Sequence, residues 1–185
     1  MIVEFECYIG SLHSISGSKL SGQIHIIEYA LLSDTRPPIL HSFDSACCDI
    51  LFIMSPPSNS AVMGGLLASR LHKLGVKGVI TNGAIRDIEE IENLRLNVFY
   101  KSNTVYGSKH ELKVVQVGGS IMIGNCNVCE GDFMMGDIDG VVCIPEKWIA
   151  RVYDECKFKI IEDEECKQGI LQGESLQTVF AKYRT

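Results

Sequence analysis

The spacing of apolar positions changes period along the chain, and the changes outline its elements. From Leu20, the run SGQIHIIEYALL alternates. Ile24, Ile26, Glu28 and Ala30 share one face and His25, Ile27, Tyr29 and Leu31 the other, which predicts a strand. The run DILFIM, ending at Met54, has the unbroken apolar character of a strand covered on both faces of a parallel sheet. Within GGLLASRLHKLG the period lengthens: Leu67, Leu71 and Leu74 recur at i, i+4 and i+7, and Arg70, His72 and Lys73 fall elsewhere on the wheel. This predicts a helix opened by Gly64-Gly65 and stopped at Gly75. Val79, Ile80 and Thr81 form a short strand that Asn82-Gly83 ends.

Past Asp87, IEEIENL predicts a short helix with its acids at the favourable end, followed by the strand LNVFYK. Residues 102–111 form a polar loop. Four short apolar runs (112–117, 120–123, 133–135 and 141–144) follow between glycines and predict consecutive strands. Pro145 opens a last long helix on which Ile149, Val152, Tyr153, Cys156 and Ile160 form a stripe suited to packing on the sheet or on another subunit. Gly169 and Gly173 break that helix before a final one over 176–183. Residues 43–48 are read as one helical turn, and Val3, Phe5 and Cys7 alternate with glutamates like a strand. The whole predicts an α/β domain of layered sheets over 1–185, with 1–19 unassigned and 146–185 as C-terminal helices.

Composition narrows the function classes. The chain holds 17 Lys and Arg against 23 Asp and Glu, a formal net charge of −6, so it offers neither nucleic acid nor an anionic membrane surface a basic footprint. The N-terminus lacks the basic start and apolar run of a secretory signal, and no apolar run is long enough to span a bilayer. A reducing, cytoplasmic location is expected. Of the eight cysteines, Cys126 and Cys129 have the spacing of a zinc half-site, but no second half-site accompanies them; the cysteines are read mainly as small core hydrophobes. Asp132, Asp137 and Asp139 lack the terminal glutamate of a calcium loop and are read as turn residues.

The chemistry concentrates in GGLLASRLHKLGVKGVITNGAIRD. A helix starting at a glycine pair presents backbone N–H groups that an anion can approach closely. Arg86 can hold a carboxylate through two parallel hydrogen bonds, and Asp87 suits a hard cation or its bound water. The same residues also fit a bare turn and a surface ion pair. Together with GDFMMGDIDGVVCIP over 131–145, the segment resembles the RraA-like family, which includes the class II 4-hydroxy-4-methyl-2-oxoglutarate aldolases and oxaloacetate decarboxylases.

The resemblance runs from about Leu20 to the C-terminus and implies the swivelling β/β/α domain fold. It implies Gly64, Gly65, Leu66 and Leu67 as the cradle for the carboxylate of a 2-oxo acid. Arg86 becomes the substrate clamp and a catalytic residue, and Asp87 the ligand of a divalent metal, Mg2+ or alternatively Mn2+. It further implies a homo-oligomer, a trimer or hexamer, with sites between subunits, and a shortened segment before Leu20. The best aldolases of the family carry an acid 21 residues before the arginine, where this chain has Gly65. That departure weakens aldol cleavage more than decarboxylation, because only the former needs a base for its bond-breaking step. A non-catalytic regulatory protein and an inactive truncated paralogue are the alternatives.

Overall fold

The structure is a computed structural model that describes residues 12–15, 19–44, 46 and 48–183. The alternating run at 3–7 lies outside these residues. The described part of 43–48 is not helical: residues 41–44 form a turn, in which His41 adopts a left-handed conformation (φ 64°).

A long strand, β2 (Leu20–Leu31), organises the main sheet; β1 (His13–Ile15) lies at its far edge. β2 pairs in parallel with β3 (Ile50–Met54), which pairs in parallel with β5 (Gly78–Thr81), and β5 with β7 (Asn97–Tyr100). Their side chains alternate between two cores, as the two-residue period of a strand requires. Ile27, Leu51, Ile53, Val79 and Val98 face one cluster, which includes Ala68, Leu71 and Ile91 from the helices α1 (Gly65–Lys73) and α2 (Ile88–Asn93). Ile24, Ile26, Phe52, Ile80 and Phe99 face the other. Burying both faces explains why DILFIM reads as continuously apolar.

The second core is closed by strands. β12 (Phe133–Asp137) pairs antiparallel with the start of β2 and with β13 (Gly140–Ile144), while β9 (Leu112–Val117) pairs with the end of β2 across a register shift at Glu28/Tyr29. One edge of β2 thus serves two partners in succession, and the sheet curls. A hairpin of β10 (Ser120–Ile123) and β11 (Cys126–Cys129) contributes Ile121 and Val128 to this core. Asp132 is a buried staple beyond simple turn chemistry. Its carboxylate accepts the Cys129 N–H at 2.8 Å and the Glu146 N–H at 2.9 Å. Asp137 caps its own turn by accepting the Asp139 N–H at 2.9 Å.

A third, small sheet matters most for the site. β4 (Ala61–Met63), β6 (Ala84–Ile85) and β8 (Ser102–Asn103) run parallel. None of the three is legible as a strand by periodicity, since each is only two or three residues long.

The C-terminal residues form a separate unit of contacts: α3 (Ile149–Leu171) and α4 (Leu176–Tyr183). The expected break at Gly169 does not occur. α3 continues through it, and the glycine makes room for α4: a side-chain carbon on Gly169 would meet Val179 Cγ2 at 3.1 Å. The chain turns instead at Gly173 (φ 92°). Within α3 the buried positions are Cys166 and Gly169, which lie C-terminal to the predicted stripe. Cysteines are likewise only partly core. Cys143 and Cys166 are buried, Cys48, Cys126 and Cys129 half-buried, and Cys156 exposed. No helix among the described residues is long and apolar enough to cross a membrane.

Candidate functional site

The small parallel sheet brings the two halves of the predicted site together. β4 leads directly into Gly64-Gly65 and β6 directly into Arg86-Asp87. The parallel pair is tied at its end by the Arg86 N–H donating to the Met63 carbonyl at 3.0 Å. Gly64 caps α1 in an extended conformation with no side-chain bond, and the first amide bonded back along the helix is Ala68 N–H, to the Gly64 carbonyl at 3.0 Å. The amides of Gly65, Leu66 and Leu67 therefore have no partner within the helix. Asp87 Oδ2 accepts the first of them, from Gly65, at 3.0 Å. Those of Leu66 and Leu67 have no acceptor among the described residues, and they stand at the positive end of the helix dipole, where an anion could bind.

Asp87 sits in the left-handed region (φ 59°, ψ 42°) as the N-cap of α2. Aspartate tolerates this conformation better than most residues. Its Oδ2 also lies 3.5 Å from Arg86 Nε, and both side chains are partly exposed. Gly64 leaves room for the two site side chains: a side-chain carbon there would come within 2.6 Å of Asp87 Oδ2 and 3.0 Å of Arg86 Nε and push them aside. At Gly65 the crowding comes from elsewhere, for the same construction meets Glu90 Oε2 at 1.9 Å and its Cδ at 2.2 Å.

Gly64, Leu66, Leu67 and Arg86 line a cleft of about 280 Å3 together with Tyr29 and Phe43. Gly65 and Asp87, bonded to each other, do not line it. Tyr29 and Phe43 were not evident from the sequence. Both belong to or pack against the core under α1, and their rings stand 6.5 Å apart. The Tyr29 hydroxyl donates to the Val62 carbonyl at 3.3 Å, and burial pushes its pKa up to about 12, so it remains a neutral donor near neutral pH.

A larger hollow of about 820 Å3 opens at the carboxyl ends of β3 and β5. There Asn82 clasps Ser55, accepting its N–H at 2.7 Å and donating to its carbonyl at 2.9 Å. Arg36 also lines this hollow, but its guanidinium is spent on Asp34 at 3.1 Å, which holds the Asp34 carboxyl below its usual range. The smaller cleft is the better anion site, since Arg86 faces it beside unbonded helix amides.

Among the described residues no group of three or more His, Cys, Asp or Glu side chains is gathered closely enough to hold an ion alone. Zinc would require such a set. Magnesium and manganese are held through one or two carboxylates and keep water or substrate oxygens in their remaining positions. Asp87, with one oxygen bonded to an amide and the other uncommitted to it, fits that second mode.

The chain is 29% identical over 120 residues to an uncharacterised protein of Methanocaldococcus jannaschii, covering 65% of this chain and 57% of the relative. It is 31% identical over 98 residues to a 4-hydroxy-4-methyl-2-oxoglutarate aldolase of Thermus thermophilus, covering 52% and 59%. The matched region thus spans little more than half the length of these curated relatives. In structure it superposes on RraAS2 of Streptomyces coelicolor, described as an unusual member of the RNase ES inhibitor RraA family. The TM-score is 0.77 at 18% identity, over 88% of this chain and 84% of that one, a likeness of fold. Residues 44–143, over half the chain, match the family model RraA-like (Aldolase/RraA), and the chain belongs to that family.

Proposed function

We propose that the protein is a divalent-cation-assisted lyase that cleaves a carbon–carbon bond of a 2-oxo acid and releases pyruvate. Its substrates would be oxaloacetate, 4-hydroxy-4-methyl-2-oxoglutarate, or both. The observation that supports this most is the convergence of the Arg86 guanidinium and the open amides of α1 on one small cleft, with Asp87 alongside. Arg86 and the amides of Leu66 and Leu67 hold the substrate carboxylate, and the walls of Tyr29 and Phe43 exclude water from one side of it. Asp87 is fixed by the Gly65 N–H, so its charge is presented in one place. A magnesium or manganese ion, held through Asp87, would supply Lewis-acid stabilisation of the negative charge that builds on the 2-oxo oxygen. The fixed positive charge of Arg86 and the dipole of α1 act in the same direction on the bound acid.

We further propose that the protein works in the cytoplasm as a homo-oligomer, a trimer or hexamer. Leu66 beside the cleft is 86% exposed, as is Val105, two residues before the cleft residue Gly107. A second subunit would cover both and narrow the opening.

The test is pyruvate release from each substrate with magnesium, with chelator, and in Arg86→Ala and Arg86→Lys. Wild type should turn over at least one substrate in a chelator-sensitive way, and Arg86→Ala should abolish it. Arg86→Lys keeps the charge but loses the paired donors, at about 1.5–3 kcal/mol or roughly 10- to 150-fold in kcat/KM. Failure to turn over either substrate, with retained binding of pyruvate, would make the chain a binding protein of the same family.

A further inference from the structure

We infer that Glu90 is the proton acceptor of this site, an inference that rests on the lyase reading above. The Glu90 carboxyl group lies against Gly65: a side-chain carbon on that glycine would be 1.9 Å from Oε2, 2.2 Å from Cδ and 2.7 Å from Oε1. Arg86 Nε lies in the same way against Gly64, 3.0 Å from the corresponding point. The clamp and the carboxylate thus abut consecutive residues of one turn, whose Cα atoms are about 3.8 Å apart.

Glu90 is the third residue of α2, where a glutamate ordinarily turns back to the amide of its own N-cap. It does not do so here. α2 has no side-chain cap bond, and among the described residues the Glu90 carboxylate makes no hydrogen bond or ion pair. Its neighbour is used differently. Asp87 Oδ2 is committed to the Gly65 N–H and stands 3.5 Å from the guanidinium. Two carboxylates therefore bracket the head of α1, one anchored by donors and one with both oxygens open. An anchored carboxylate suits a cation; an open one suits a proton.

In aldol cleavage the Glu90 carboxylate takes the 4-hydroxyl proton as that C–O bond becomes a carbonyl. The C3–C4 bonding pair moves into a C2–C3 double bond, and the C2=O pair moves onto the 2-oxo oxygen. Protonated Glu90 then returns its proton to C3 as the carbonyl re-forms, giving pyruvate and regenerating the carboxylate. Loss of carbon dioxide from oxaloacetate breaks its bond without the first of these transfers.

The experiment compares wild type, Glu90→Gln and the neighbouring control Glu89→Gln on both substrates, with deuterium exchange of the pyruvate methyl group and magnesium affinity as further readouts. Glu90→Gln preserves the packing against Gly65. The ratio of aldol cleavage to oxaloacetate decarboxylation should fall about 10²- to 10⁴-fold. Methyl exchange should be lost, and magnesium affinity should hold within a few-fold. Glu89→Gln should leave all four readouts unchanged. An unaltered ratio in an active enzyme overturns the role of Glu90 alone, as does an equal loss of both reactions. A large drop in magnesium affinity would make Glu90 a cation ligand and also overturn it. A wild type that turns over neither substrate overturns the lyase reading, and the assignment falls with it.

Discussion

Asp87 Oδ2 accepts the Gly65 N–H at 3.0 Å, so the residue after the clamp arginine also closes the first open amide of α1. One side chain thereby joins the carboxyl ends of β4 and β6. Asp87→Asn keeps an oxygen for the amide and removes the charge, whereas Asp87→Ala removes both. Calorimetric titration of magnesium or manganese should show affinity lost in both variants. Only Asp87→Ala should also lose stability, by about 1 kcal/mol as for other helix caps. Undiminished cation binding in Asp87→Asn would place the ion elsewhere.

Gly64→Ala should damage the site while sparing the fold. Gly64 has an extended backbone that any residue adopts (φ −142°), and the atoms its new carbon would strike, Asp87 Oδ2 and Arg86 Nε, are the ends of flexible side chains. The expected result is a small change in thermal midpoint with a marked fall in kcat/KM. Gly78→Ala is the contrast: its carbon would meet the Asn97 carbonyl at 2.8 Å and Leu20 at 2.6 Å, where backbone and core cannot move aside. A comparable loss of stability in both variants would refute the distinction.

How much of this was legible depends on the range of the cause. α1, β5 and α2 follow from local periodicity, and Gly75, whose φ is 83°, stops α1 as its position implies. The juxtaposition of Gly64 with Arg86 does not follow from local pattern, because it is made by strands too short to show a period and paired only by long-range contacts. Glu90 was hidden for a different reason: an acid in the first turn of a helix already has a sufficient explanation in the helix dipole. The stripe on α3 shows the converse, since helical spacing marks a face without saying what covers it.

Tyr29 supplies a pH test that involves no catalysis. Burial raises its pKa from the ordinary phenol value of 10.0 to about 12. The folded state therefore favours the neutral form. The resulting stability, on the order of 2–3 kcal/mol, is fully present below pH 10 and is lost as pH climbs toward 12. Alkaline unfolding of Tyr29→Phe should lack this segment of the pH dependence. If phenolate absorbance showed every tyrosine titrating together near pH 10 in the folded protein, the assignment would fail.

Oligomerisation should be visible without substrate. Leu66 (86% exposed), which lines the cleft, and Tyr106 (66%), next in sequence to the cleft residue Gly107, are large apolar groups, and covering them would remove apolar surface from water. Sedimentation equilibrium should give a mass that is a multiple of the chain, and Leu66→Glu should shift it toward the monomer with loss of activity. A wild-type monomer at micromolar concentration would count against subunit-shared sites.

The last prediction concerns position 65, where the resemblance to the family's aldolases implies that an introduced aspartate would strengthen aldol cleavage. The structure changes that expectation. The space such a side chain would enter holds the Glu90 carboxyl, whose Oε2 is 1.9 Å from the would-be Cβ. Gly65→Asp in the wild-type background must displace Glu90 and bring a third carboxylate beside Asp87. It should lower the thermal midpoint and fail to raise aldol cleavage. In Glu90→Ala the space is vacated and the charge is missing. There Gly65→Asp should raise both stability and aldol turnover, because the new carboxylate enters the volume the old one filled. The coupling between the two positions should be at least 1 kcal/mol, within the range of about 0.5–3 kcal/mol for contacting residues. Additive effects of the two substitutions on both readouts would mean that Glu90 and position 65 do not share a role.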